Sequence, residues 1–190
     1  MAGRDTEEFQ CYAVTLGFES VKPVLRFRPT DIRLLASQYD YGVDEKAIQA
    51  LVPEVRQRQF LTKHQLRAVA AWKSPRSAGY MERNRPQYVR EITAIALKAV
   101  SERARIESLT LLDGVSWPTA SVILHFFHRR RYPILDFRAL WSVGLEPPVQ
   151  YGFNFWWIYV QYCRALARES RVDMRTLDRA LWQYSKERQR

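Results

Sequence analysis

The chain reads as an all-α protein. Three observations predict this. Apolar residues recur at helical spacing from Thr30 to Tyr184, cap-type residues open most of those runs, and Pro- or Gly-bearing breakers separate them. About nine helices are expected, within a single domain spanning 1–190.

Residues 1–28 carry the weakest pattern and are expected to be irregular. Phe9–Val14 and Val21–Leu25 fit short extended pieces or one short helix. Thr30 or Asp31 is placed to cap a helix with Ile32, Leu34 and Leu35 on its apolar side, and Asp44 opens another carrying Ile48, Leu51 and Val52. Thr62-Lys63-His64-Gln65 is a capping-box pattern ahead of Leu66, Val69, Ala70 and Trp72. Lys73 to Tyr80 is rich in breakers and reads as a loop. A long helix follows Pro86, with Val89, Ile92, Ile95, Ala96, Ala99 and Val100 on one face. Ile106–Leu112 is predicted as a short helix, and the next shows Ala120, Ile123, Leu124 and Phe127 at core-facing spacing. Ala139, Leu140 and Val143 form a short helix to Gly144, and Glu146-Pro147-Pro148 is a turn. An aromatic helix from Phe153 to Tyr162 is expected to face the core rather than to stack bases, and Asp173 caps the last helix through Tyr184.

Composition narrows the function classes. The 190 residues are 47% hydrophobic and 13% aromatic, which requires a folded core. The net charge of +10 favours a polyanionic partner, nucleic acid being the commonest, against the plainer reading of solvated arginines. Two cysteines, Cys11 and Cys163, argue against a disulfide framework and exclude a four-Cys zinc or iron–sulfur site within the chain. No apolar run reaches the ~20 residues of a membrane span, and the start is polar with no signal-peptide core. A cytoplasmic protein is therefore expected, associated with the nucleoid if bacterial.

The informative stretch lies between the two middle helices. In Leu111-Leu112-Asp113-Gly114-Val115-Ser116-Trp117-Pro118-Thr119-Ala120, Gly114 suits the left-handed close of one helix. Ser116 is the N-cap position of the next, and Pro118 sits in its first turn, where a missing N–H is tolerated. So tight a junction leaves the amides around residues 114 to 116 pointing outward at the positive end of a helix, an arrangement that suits a phosphate. A basic turn, Arg129-Arg130-Arg131, leads into Tyr132-Pro133-Ile134-Leu135-Asp136.

Gly114–Ala120 together with Tyr132–Asp136 resembles the signature of the helix-hairpin-helix DNA glycosylases, the endonuclease III superfamily. The Pro-Ile-Leu-Asp wording is closest to the adenine-glycosylase branch. The match covers Leu109 to about Gly144, with the hairpin over 106–128. The resemblance implies a two-lobed helical fold with double-stranded DNA across its cleft. It also implies a hairpin that holds a backbone phosphate through Gly114, Val115, Ser116 and Thr119, with a bound K+ or Na+, and Asp136 as the catalytic acid. A carboxylate in that role meets the positive charge that grows on the sugar as the base–sugar bond breaks, after the base has been flipped out of the stack.

Three positions depart from the family pattern. Ser116 stands where the second hairpin glycine is usual, and Asp113 where the hairpin proline is usual. Pro118 occupies the slot of the lysine that forms a Schiff base in the bifunctional members, so base removal by water without strand cleavage is implied. The iron–sulfur cluster of several relatives is missing as well.

Each candidate has a plainer reading. Asp136 precedes Phe137-Arg138-Ala139 and is a favoured N-cap. Gly114 and Ser116 fit an ordinary helix–helix turn. His125 and His128 stand at i, i+3, but no third ligand is apparent, so no metal is assigned to them. Arg129, Arg130 and Arg131 track phosphates or form a solvated face. Lys73 and Arg76 lie in the loop where relatives wedge into DNA, or in a simple connector.

The leading expectation is a monomeric, monofunctional DNA glycosylase acting in base excision repair on a damaged or mismatched base. Damage that leaves the base charged fits a site with one acid slightly better, since such a base needs no acid to leave. The alternatives are a non-catalytic DNA- or lesion-binding protein on the same fold, a lyase using a lysine outside the motif such as Lys73 or Lys98, and a protein-interaction scaffold.

Overall fold

A computed structural model describes residues 22–40 and 45–189. Among these residues the chain is all-helical, with nine α-helices and two 3-10 segments. The expectations for Phe9–Val14, Cys11 and the Asp44 cap lie outside the described residues. Lys22–Arg28 is non-helical, bends at Arg26 and Phe27, and lies along the end of a later helix, where the Val24 and Arg26 amides donate to the Val143 and Ser142 carbonyls at 2.8 and 2.9 Å.

A 3-10 turn (Pro29–Asp31) leads into α1 (Ile32–Ser37). Asp31 holds the N-cap position without a capping side-chain bond, and Leu34, expected on the apolar side, is exposed. Helix α2 (Lys46–Arg58) buries Ile48 and Val55 and ends at Gln59, whose positive φ lets its amide reach the Val55 carbonyl. The capping box is present at the start of α3 (Lys63–Lys73): Thr62 accepts from the Gln65 amide while Gln65 accepts from the Thr62 amide. The expected loop after it is a 3-10 segment, Pro75–Arg83.

Helix α4 (Pro86–Lys98) stops before Ala99 and Val100, and both Ile95 and Val100 are exposed although they were placed on the apolar face. Helix α5 runs Glu102–Leu109 rather than 106–112, because Ser101 accepts from the Ala104 amide and so starts it four residues earlier. Helix α6 (Trp117–Phe127) is followed by α7 (Phe137–Ser142), α8 (Phe153–Glu169) and α9 (Met174–Arg188). Gly144 closes α7 at φ 71°, with the Leu145 amide reaching back to the Leu140 carbonyl; a Cβ there would meet the Val24 carbonyl at 3.3 Å. Asp173 caps α9 by accepting from the Thr176 amide.

Packing divides the helices into two sets. Helices α2 to α6 pack on one another with the Pro75–Arg83 segment, whereas α9 packs against α1, α7 and α8. Contacts between α5 and α8 join the sets. The aromatic helix does face inward: Trp156 and Tyr159 are fully buried, and Phe153, Phe155, Trp157 and Tyr162 pack against the core from partly buried positions. Among the described residues no helix is long and apolar enough to cross a membrane.

Candidate active site

The turn between α5 and α6 is compact. The Val115 amide donates to the Leu112 carbonyl at 3.0 Å, and Gly114 takes φ 78°, the left-handed conformation its position required. Buried Asn84, at the end of the 3-10 segment, grips Asp113 from both sides. It accepts from the Asp113 amide at 2.9 Å and donates to the Asp113 carbonyl at 2.9 Å. Among the described residues the amides of Gly114, Ser116, Trp117 and Thr119 have no intramolecular acceptor. Ser116 is the N-cap residue and is exposed, but its side chain makes no capping bond. Val115 and Thr119 are buried, so what they offer a ligand is backbone. The carbonyls of Leu112 and Asp113 each accept one hydrogen bond and keep a second lone pair, and the exposed Asp113 carboxylate lies beside them. Carbonyl and carboxylate oxygens are the donor type a monovalent cation would take.

Side chains of other elements hold four backbone atoms of the segment Tyr132–Asp136. His125 Nδ1 donates to the Tyr132 carbonyl at 2.6 Å, and Asp178 accepts from the Ile134 amide at 3.0 Å. Tyr159 donates to the Ile134 carbonyl at 3.2 Å. Ser121 accepts from the Leu135 amide at 2.8 Å and donates to the Pro118 carbonyl at 2.7 Å. One serine thus ties the segment carrying Asp136 directly to the first turn of the hairpin's second helix. The distance between the turn and the carboxylate is set by side chains of α6, α8 and α9, not by the connecting chain alone.

Asp136 is the N-cap of α7, its Oδ1 accepting from the Arg138 amide at 3.0 Å. Its other oxygen accepts from Lys73 Nζ at 2.5 Å, and the two side chains are only 10% and 13% exposed. Lys73, expected in a loop, is instead the last residue of α3. Both line a small cavity of about 20 Å³, room for about one water, with Tyr39, Trp72, Ile134, Ala139, Arg175, Asp178 and Trp182. Behind it, Arg175 donates to Asp178 at 2.5 Å and also pairs with Glu45, which Arg179 pairs with too. These cations hold the Glu45 carboxyl below the usual range against the opposing effect of burial. Tyr151 stands near enough that Asp136 adds to burial in raising its phenol pKa, keeping that hydroxyl protonated.

The remaining candidates scatter. Arg76 is exposed on the 3-10 segment, near exposed Tyr80, over whose ring Arg83 stacks at 4.9 Å. Arg129, Arg130 and Arg131 are exposed but follow the far end of α6, an 11-residue helix about 16 Å long, from the hairpin turn. Arg130 is paired at 2.9 Å with Glu102, which also accepts from Arg105 and Tyr132 at 2.6 and 2.5 Å. His125 and His128 serve the backbone: the first donates to Tyr132, and the second accepts from the Arg130 amide at 2.9 Å. Among the described residues no three His, Cys, Asp or Glu side chains stand together as a metal-ligand group. Asp178, Ser121, Tyr159 and Asn84 carry no motif, and the partners that tie them to the site lie 14 to 44 positions away in the chain.

The two histidines make stability depend on pH. Burial, helped by Arg105, lowers His128 from 6.5 to about 4, and burial lowers His125 as well. The unfolded chain therefore binds more protons below pH 6.5. Their contribution is complete above that pH and is lost as pH falls from 6.5 towards 4. Thermal unfolding between pH 7 and 5 is expected to show a loss on the order of 1 kcal/mol from His128. His128→Gln keeps an acceptor for the Arg130 amide and should flatten that slope; an unchanged slope would contradict the assignment.

Compared with protein-family models, curated proteins and solved structures, the chain matches none.

Proposed function

We propose that the protein is a DNA glycosylase of helix-hairpin-helix type, hydrolysing the bond between a damaged or mismatched base and its sugar in duplex DNA. The observation that carries this reading is the Ser121 link, which fixes a shielded carboxylate, Asp136, to the hairpin whose outward amides suit a phosphate. The two helix sets are read as two lobes with DNA across them. The amides of Gly114, Ser116, Trp117 and Thr119 would meet one backbone phosphate, the field at the start of α6 favouring the anion. A K+ or Na+ held by the turn carbonyls with Asp113 would offset the acid placed beside that phosphate. Arg76 and Arg83 would extend the contact along the strand.

Asp136 would stabilise the positive charge on the sugar or orient the attacking water. The base must enter as a flipped nucleotide, and a cavity of about 20 Å³ is too small to receive it. Binding therefore has to move rims such as Trp72 or Trp182. A second reading has its own observation: Asp136 is already used as a cap and an ion-pair partner. That favours a lesion-binding protein that does no chemistry.

Duplex binding at several salt concentrations tests what both readings share. Affinity should fall steeply with salt, with a logarithmic slope of about −0.9 for each phosphate neutralised. Ser116→Pro, which removes one outward amide, should weaken binding to all duplex sequences alike. Salt-independent binding, or none, would contradict both readings and favour a protein-interaction scaffold.

A further inference from the structure

We infer that Arg138 is a phosphate-binding residue, held ready at the rim of the cavity beside Asp136. That the phosphate belongs to a DNA strand rests on the DNA-binding reading above. The site itself rests on geometry.

Among the described residues six arginines are not exposed. Five of them, Arg58, Arg105, Arg164, Arg175 and Arg179, pair with Glu54, Glu102, Glu45 or Asp178. The sixth, Arg138, has no carboxylate partner among the described residues and rests on aromatic rings instead. Its guanidinium carbon lies 5.1 Å from the ring centre of Phe137 and 5.5 Å from that of Trp182. The chain thus matches each of its other shielded guanidiniums with an acid and leaves this one to aromatic faces.

Stacking fixes the planar group without using its N–H edges. Ring contacts occupy the face of a guanidinium, whereas its donors lie in the plane, in a fork that matches two oxygens of one phosphate. A side chain already held on two rings also loses less freedom when a ligand binds. Phe137 is 51% exposed, so the stack opens to solvent.

Position decides what the fork can meet. Phe137 follows Asp136 directly, and the Arg138 amide donates to Asp136 Oδ1 at 3.0 Å. Trp182 lines the cavity together with Asp136, so the guanidinium rests on a wall of the space that holds the carboxylate. Asp136 itself is already matched by Lys73. Lys186 brings a second positive charge, its ammonium 5.4 Å from the Trp182 ring centre. A carboxylate ligand would fit the same fork, but the net charge of +10 and the outward hairpin amides both favour a polyanion. A nucleotide brought to the cavity carries such an oxyanion on its own backbone.

The test is duplex binding at several salt concentrations, using duplexes in which single phosphates are replaced in turn by neutral methylphosphonates. Arg138→Gln should weaken binding about tenfold and make the logarithmic salt slope shallower by about 0.9, the value for one phosphate. One methylphosphonate position should weaken binding by the wild type and have no effect on Arg138→Gln. Arg138→Lys keeps the charge but loses the fork, so it should recover the slope and only part of the affinity. Arg168→Gln, an equal change of net charge in the last turn of α8, should keep the wild-type slope. A wild-type slope in Arg138→Gln, or the same methylphosphonate profile in both proteins, would overturn the inference and leave the DNA reading intact. Should the wild type bind no duplex, thermal unfolding with inorganic phosphate separates the remaining outcomes. A rise in Tm for the wild type but not for Arg138→Gln would keep the site and remove DNA as its ligand. Equal shifts, or none, would overturn it.

Discussion

Asp178→Ala is expected to destabilise the protein by about 3 kcal/mol in denaturant unfolding, with little change in m. The aspartate is buried, accepts from the Ile134 amide at 3.0 Å and pairs with Arg175 at 2.5 Å. Truncation leaves a shielded guanidinium short of one partner and strands a buried N–H, and each loss carries a desolvation cost. Arg175 keeps Glu45 and Tyr39, so the loss stays at the lower end for a broken buried pair. Asp178→Asn retains an acceptor for Ile134 and should cost about half as much. Equal losses in the two variants would show that the Ile134 bond contributes nothing and that Asp178 acts through charge alone. Because that bond holds the segment leading to Asp136, the alanine variant should also disturb any activity of the site, and the asparagine variant less.

The pairing of Lys73 with Asp136 should appear as strong non-additivity. Lys73→Met leaves a shielded carboxylate without its cation, at a cost of about 2 kcal/mol. Asp136→Asn leaves the ammonium unpaired while the amide oxygen still caps α7, at a similar cost. Combining the two removes both charges, so the double variant should be at least about 1 kcal/mol more stable than the sum of the singles implies. Additivity within about 0.5 kcal/mol would mean that the contact at 2.5 Å has no energetic weight and that solvent screens the pair.

What could be read in the sequence was local. The capping box at Thr62, the Asp173 cap, the left-handed Gly114 and the cap role of Asp136 each depend on residues within three or four positions, where chemistry and spacing suffice. Helix limits failed where a polar start carried no apolar signal: α5 begins at Glu102 because of Ser101, and its first turn, Glu102-Arg103-Ala104, has no apolar period to follow. The site's connections were out of reach for another reason. Lys73 meets Asp136 across 63 positions, Asp178 meets Ile134 across 44, and Glu45 meets Arg175 across 130. No periodicity reports such pairs. Lys73 looked like a surface contact because Ser74 and Pro75 follow it, yet the helix extends just far enough to bury its amine.

The most direct measurement is single-turnover base release by the wild type and Asp136→Asn. The duplex oligonucleotides would carry uracil, 8-oxoguanine opposite adenine, alkylated purines, hypoxanthine or a thymine mismatch. One of them should lose its base with the wild type, alkylated purines first because a charged base needs no acid to leave. Asp136→Asn should slow that release by at least about a hundredfold while duplex affinity holds. No release from any substrate, with tight salt-sensitive binding by both proteins, would contradict the enzyme reading and leave a DNA-binding module in which Asp136 serves as a cap.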